Sequence, residues 1–284
     1  MEQLKNLPIG IQDFESLILD NYLYVDKTAI MYQLVSTGRY YFLSRPRRFG
    51  KSLFLSTLKA YFLGKKELFR GLAVENLENE WVEYPVLHLD LNTANYIDRN
   101  ALVNRLSSTL NQWEDKYGSD ARDIDLGTRF EGIIRRAYEK TGRRVVILVD
   151  EYDKPMLHAI GNEELQNEYR SMLKGFYGVL KSMDSYIRFA FLTGVTKFSK
   201  VSIFSDLNNL NDISLGDDYS SICGISEEEL HRVFQLHVER LAEYQKMTVD
   251  EAYAELKKRY DGYHFLLFSC RMYNPFRVLY ALYM

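Results

Sequence analysis

The sequence predicts an α/β fold, a three-layer parallel sheet followed by a small helical unit. Two observations carry the sheet. Tyr40-Tyr41-Phe42-Leu43 and Val145-Val146-Ile147-Leu148-Val149 are strand-length runs that are apolar throughout, as strands covered on both faces must be. Segments with helical spacing lie between such runs, and that alternation builds a parallel sheet with helices on both sides. A third observation is a change of texture at Ile225, after which only helical spacing continues. At 284 residues and 46% apolar composition, a chain buries roughly three quarters of the surface of its unfolded state. That supports one large core with a smaller appended unit: a core over 1–224, with 1–38 as its N-terminal flank, and a helical lid over 225–284.

In chain order, Tyr22 to Thr28 reads as an extended piece ending in a helix cap. Asp26 or Thr28 accepts from the free amides of the next helix. That helix runs from Ala29 to Ser36, with Gly38 as its C-terminal stop, and is expected near the base of a bound nucleotide or simply in the packing. The first strand covers residues 40–44. A helix starts at Lys51, runs to about Leu63 and stops at Gly64. Residues 84–91 form a second strand. Leu102, Leu106, Leu110, Trp113 and Tyr117 mark a helix over 98–117, and Phe130, Ile133, Ile134, Ala137 and Tyr138 mark another over 127–141. The run at 145–149 ends in Asp150-Glu151. A long helix over 163–183 precedes a strand at 186–193. Residues 201–224 are polar and turn-rich, which reads as a surface loop near a site. Ser226-Glu227-Glu228-Glu229 is a capping signal for the first of two helices, about 226–243 and 248–259. Asn274-Pro275 opens a last short one.

The chemistry concentrates in two places. Between the first strand and its helix stands Arg45-Pro46-Arg47-Arg48-Phe49-Gly50-Lys51-Ser52, the P-loop pattern G-x-x-x-x-G-K-[ST] with arginine at the first glycine. Successive amides of such a loop point into one concavity at a helix N-terminus and hold phosphate. Gly50 admits close backbone approach, Lys51 places a charge between the β- and γ-phosphates, and Ser52 offers a hydroxyl to Mg²⁺. The expected nucleotide-binding residues are Arg47, Arg48, Phe49, Gly50, Lys51, Ser52 and Leu53. Arg45 carries a steric penalty only if its φ is positive.

The second place is Asp150-Glu151 at the C-terminal end of a buried strand, the edge where ligands of open α/β sheets bind. Adjacent buried carboxylates are costly unless paired or bound to metal. Asp150 is expected with Ser52 on the metal, and Glu151 as the base that polarises the attacking water. Asp153 reads as a helix cap or surface residue. Past the next strand, Thr193, Thr196 and Lys197 are placed to sense a γ-phosphate or position water, or are ordinary loop residues. Arg47 or Arg48 could reach the transferred phosphate from within the chain, as arginine fingers do, or face solvent. The candidate catalytic set is Glu151, Lys51, Arg48 and Thr193. The strand at 84–91 falls between the two motifs, an arrangement that commonly accompanies a catalytic glutamate in P-loop proteins.

Charge and cysteine use narrow the classes. The net charge is −3, yet residues 39–70 hold nine Lys or Arg and one acid, leaving 27 bases against 38 acids elsewhere. That suits a local phosphate better than a long nucleic-acid track. Cys223 and Cys270 form no C-x-x-C, the start lacks an apolar signal core, and no apolar run reaches membrane-spanning length. A reduced, cytoplasmic protein without a membrane span is expected. No H-E-x-x-H, calcium-loop or G-x-S-x-G pattern is present.

With both motifs in view, the chain resembles the bacterial AAA-ATPase-like family, whose members often carry a C-terminal restriction-endonuclease-like nuclease domain. The resemblance rests on residues 24–28, the Phe42–Ser52 stretch, Leu148-Val149-Asp150-Glu151-Tyr152-Asp153, Leu192-Thr193-Gly194-Val195, residues 198–205 and Tyr260-Asp261-Gly262-Tyr263. It implies that Arg-Pro-Arg-Arg is the family's usual opening of the loop. Asp206 departs from the glycine that commonly precedes Leu-Asn-Asn-Leu there. In the family Tyr273-Asn274-Pro275-Phe276 leads toward the nuclease, so a sequence ending at Met284 is expected to be either shortened or a member without it. The expected function is a P-loop protein that binds ATP and Mg²⁺ and hydrolyses ATP slowly as a nucleotide-gated switch. The alternative is a non-hydrolysing, nucleotide-binding regulatory scaffold for a protein partner or a nuclease. A small-molecule kinase and a nucleic-acid binder using residues 39–70 are further rivals.

Overall fold

A computed structural model of the chain describes residues 4–196, 210–263, 265 and 271–283. The elements follow in the order α1 (Phe14–Leu19), α2 (Thr28–Thr37), β1 (Tyr40–Ser44), α3 (Lys51–Phe62), β2 (Val86–Asp90), α4 (Arg99–Tyr117), α5 (Leu126–Thr141), β3 (Val145–Asp150), α6 (Lys154–His158), α7 (Glu163–Ser182), β4 (Ile187–Gly194), β5 (Asn211–Asp212), β6 (Ile225–Ser226), α8 (Glu227–Gln245), α9 (Val249–Tyr260), β7 (Met272–Tyr273) and α10 (Pro275–Leu282). Strands β1–β5 form one parallel sheet in the order β2-β3-β4-β1-β5.

The apolar runs are explained by what covers them. Tyr40 and Phe42 of β1, with Val145, Ile147 and Val149 of β3, pack into a core shared with α4, α5 and α7. Their alternates, Tyr41 and Leu43 with Val146 and Leu148, pack into a second core shared with α2 and α3. Successive strand residues point to opposite faces, so both faces need apolar side chains and no alternation remains in the sequence. The three layers follow.

Parallel register brings the strand ends to one edge. Ser44 pairs with Gly194 and Leu43 with Thr193, while Val149 pairs with Leu192. The strand spatially between the two motif strands is therefore β4, which carries Thr193. The 84–91 strand, between the motifs in sequence, is β2 at the far side of β3.

Two local readings need correction. Residues 210–224 are not a surface loop: β5 pairs with β1, and Ile213, Ser214, Ile222 and Cys223 are buried. The remaining part of that stretch, with Lys197, Asp206 and residues 198–205, lies outside the described residues. Gly38 follows α2 in an extended, not left-handed, conformation. A Cβ there would collide with the Tyr41 ring and hydroxyl, so any other residue would force that side chain to shift.

Residues 225–282 carry a third hydrophobic cluster, including Leu230, Phe234 and Val238 of α8, Leu256 of α9 and Val278 and Leu282 of α10. Leu7, Ile9, Leu23 and Val25 of the N-terminal segment pack against it. A buried ion pair seals this junction: Lys27 Nζ lies 2.5 and 2.7 Å from the two carboxylate oxygens of Glu229. Glu229 also closes the capping box of α8 with Ser226, so one carboxylate fixes both a helix start and an ion pair. No helix among the described residues is long and apolar enough to cross a membrane.

Candidate functional site

The loop after β1 turns because of two left-handed residues. Arg48 has φ 64° and Gly50, the N-cap of α3, has φ 95°. Glycine takes that angle freely, whereas a side chain there costs roughly 1–2 kcal/mol. Arg45 is not among the positive-φ residues, so replacing the first glycine of the pattern costs nothing sterically at that position; the strain sits at Arg48.

Arg45 does structural work. Its side chain is 1% exposed. Nη1 donates to the carbonyls of Ser44 (3.0 Å) and Ser214 (2.7 Å), and Nη2 to that of Tyr219 (3.3 Å). The guanidinium lies 3.9 Å from the Phe265 ring centre. Burial pulls its pKa down, opposed by the thiol of Cys223 and the carboxylate of Asp212. Arg45 therefore ties the phosphate loop to the segment after β5. Arg45→Gly restores the glycine of the pattern but strips the Ser214 carbonyl of the donor that Arg45 supplies, and is expected to cost roughly 2–4 kcal/mol of stability. Thermal unfolding checks this: a melting temperature at or above the parent's contradicts it.

The two motifs meet at the C-terminal sheet edge. Ser52 Oγ donates to Asp150 Oδ2 at 2.6 Å, and Thr193 Oγ1 donates to Asp150 Oδ1 at 2.5 Å. The Thr193 hydroxyl also accepts from the Glu151 amide at 3.4 Å. Asp150, only 6% exposed, is thus bracketed by hydroxyls from two other elements. Ser52 and Asp150 supply oxygen donors of the kind a hard divalent cation takes.

Lys51 is buried at the head of α3. Its Nζ donates to the carbonyls of Arg45 (3.1 Å) and Pro46 (3.3 Å) and lies 3.2 Å from Glu151 Oε1. Glu151 sits at φ 53°, a conformation costly for glutamate and found where surrounding structure over-determines it. Burial pushes its carboxyl above the usual range, with Lys51 pulling it down and Asp150 pushing it up. Such a carboxylate is a stronger base than an exposed one.

The other nominated residues divide. Arg47 and Arg48 are exposed, and the Arg48 guanidinium lies 4.1 Å from the Phe276 ring centre in α10. Phe49 is fully buried. Its ring meets Tyr263 at 4.7 Å and Phe265 at 5.5 Å, and its carbonyl accepts from the Gly224 amide. Gly50, Lys51, Ser52 and Leu53 line a cavity of about 340 Å³ with Glu151, Arg47 and Arg48. Thr196 does not face that cavity.

Asp153 is the residue the sequence misplaces. It stands at the N-cap position of α6, but it is 0% exposed and its side chain makes no cap bond there. Instead it accepts from the amides of Val195 and Thr196 and from the Thr196 hydroxyl, holding the exit of β4. Its partners lie 42 and 43 residues away, so no local pattern reveals them. Reasoning from sequence also missed Asn92 and Lys154, which line the cavity beside Glu151, and the contribution of Phe276. The cavity's apolar wall includes Ile11, Val25, Phe234, Phe276 and Leu279.

A family model described as "Predicted AAA-ATPase" matches residues 8–204. A curated protein of Azotobacter chroococcum mcd 1, named "Uncharacterized protein in vnfD 5'region", is 42% identical over 276 residues, which is 97% of this chain and 51% of that protein. The chain thus spans about half the length of the curated relative it matches. No solved structure matches the chain.

Proposed function

This chain belongs to the predicted AAA-ATPase family, a nucleotide-binding P-loop protein, and from that premise we propose that it binds ATP with Mg²⁺ and hydrolyses it slowly as a switch. The observation that carries the reading is the hydrogen-bonded group Ser52–Asp150–Thr193, with Lys51 against Glu151. Two motifs far apart in the chain converge on one cavity through the groups that this chemistry needs.

In this reading the amides from Arg48 to Ser52 hold the β- and γ-phosphates, and Lys51 leaves Glu151 to meet them. Ser52 and Asp150 would hold Mg²⁺, which when bound neutralises phosphate charge. Their oxygen-only chemistry fits that ion, which keeps several waters and takes few protein ligands. Glu151, freed from Lys51, takes the proton of the attacking water. Thr193 keeps Asp150 oriented. The base lies against the apolar wall between residues 8–12 and α10. Residues 225–284 act as a lid over a core formed by 1–224, since Arg48 touches Phe276 of α10 and Phe49 touches Tyr263 and Phe265. Occupancy of the loop would thereby be felt by the C-terminal helices, as a switch requires.

The non-hydrolysing alternative has one observation in its favour: the Lys51–Glu151 ion pair engages both groups at once. Steady-state phosphate release separates the readings. We expect slow, Mg²⁺-dependent release of phosphate from ATP; tight ATP binding with no release above the uncatalysed rate favours the scaffold.

A further inference from the structure

We infer that Lys154 is a further catalytic residue, a cation supplied from within the chain to the γ-phosphate, positioned by Asn92. The inference rests on the ATP-hydrolysing reading above.

Lys154 is the first residue of α6, one turn beyond Glu151, whose carbonyl accepts from the Lys154 amide at 2.9 Å. Its side chain lines the same cavity as Lys51, Ser52 and Glu151. Its Nζ donates to Asn92 Oδ1 at 3.2 Å, and Asn92 stands just past the end of β2, beside the end of β3. The Asn92 amide in turn donates to Asp90 Oδ1 at 2.7 Å, which fixes the turn carrying it. An amide oxygen orients an ammonium without neutralising it. Among the described residues neither Lys154 nor Arg47 has a carboxylate within ion-pair distance. Burial, and after it the nearby charges of Lys154 and Arg47, hold the His158 imidazole down. Two cations without an acid partner, Arg47 and Lys154, therefore border a cavity whose lining acid, Glu151, is already engaged by Lys51. Uncompensated like charges gathered at one mouth repel each other and suit a multiply charged anion.

Position selects Lys154 over Arg48, whose guanidinium rests on Phe276. During hydrolysis a bond forms between the water oxygen and the γ-phosphorus, and the bond from that phosphorus to the β–γ bridging oxygen breaks. The water's proton goes to Glu151, and ADP and inorganic phosphate leave. Negative charge on the transferred group is what Lys154 would meet, the task that an arginine finger performs in cis or in trans elsewhere.

The test compares binding of ADP with binding of ADP plus aluminium fluoride, a mimic of the phosphoryl group in flight, by calorimetry in the presence of Mg²⁺. The parent is expected to bind the fluoride complex more tightly than ADP. Lys154→Gln should keep ADP affinity within about twofold, lose about tenfold or more for the fluoride complex, and lose about 100-fold in turnover. Lys154→Arg should recover part of both losses. Turnover per chain should not change with protein concentration, because the cation comes from the same chain. A parent that binds ADP and the fluoride complex with a ratio unchanged in Lys154→Gln overturns this inference alone. A parent that binds neither ligand overturns it together with the nucleotide reading.

Discussion

Lys51→Ala is expected to weaken ATP binding by about 100-fold or more, read as the loss of a measurable titration in calorimetry. The side chain is 3% exposed and already directed at the loop, with its Nζ on the carbonyls of Arg45 and Pro46. Nothing else on α3 can place a charge there. Removing it also leaves Glu151 buried without its cation, so the variant should be less stable than the parent. Lys51→Gln separates the two effects: it keeps a hydrogen-bond donor but no charge, and it should lose ATP affinity with a smaller loss of stability. Unchanged ATP affinity in both variants contradicts the assignment of the loop.

Glu151→Gln has the second large effect. Turnover is expected to fall by about 10²–10⁴, while ATP affinity stays within a few fold, because Glu151 takes a proton and holds no phosphate. Single-turnover measurements with pre-bound ATP check this directly. Stability has its own pH dependence. Burial raises the Glu151 carboxyl above its ordinary range despite Lys51. A carboxyl raised in the folded state contributes stability that is fully present below its unfolded pKa and is lost as pH rises through the raised folded value. Above that value the parent holds an unfavourable buried charge, and Gln is neutral. Glu151→Gln leaves Lys51 buried without its carboxylate, a loss at every pH, but its melting temperature relative to the parent's should rise as pH rises from the ordinary glutamate range through the raised value. A variant that turns over like the parent excludes Glu151 as the base.

Much of this was legible in the sequence, for physical reasons. The continuous apolar run at 145–149 could only be a strand covered on both sides, and its terminal acids could only be tolerated beside partners. Gly50-Lys51-Ser52 between a strand and a helix placed the loop. Helices α4 and α5 announced themselves by spacing, and α7 was read as one long helix; their caps Asp98, Asp125 and Asn162, each of which accepts from the helix amides, were not read. What was not legible depends on long-range contacts. A two-residue strand, β5, has no periodicity to detect. Arg45 looked like a gap in a pattern because its partners, Ser214 and Tyr219, lie 169 and 174 residues away. The sign of φ at Arg45 was left open; the left-handed side-chain residue of this loop is Arg48, which no residue preference foretells. Asp153 followed a strand end, where caps and surface acids are common, and its burial is offset by the returning backbone of residues 195–196 and the Thr196 hydroxyl.

A crystal structure of the chain with a non-hydrolysable ATP analogue and Mg²⁺ tests the central claim most directly. The β- and γ-phosphates should lie on the amides from Arg48 to Ser52, with Lys51 Nζ moved from Glu151 onto them. The ion should sit between Ser52 and Asp150, and the base should lie against Ile11, Phe276 and Leu279. Nucleotide bound elsewhere, with Lys51 still paired to Glu151, contradicts the account.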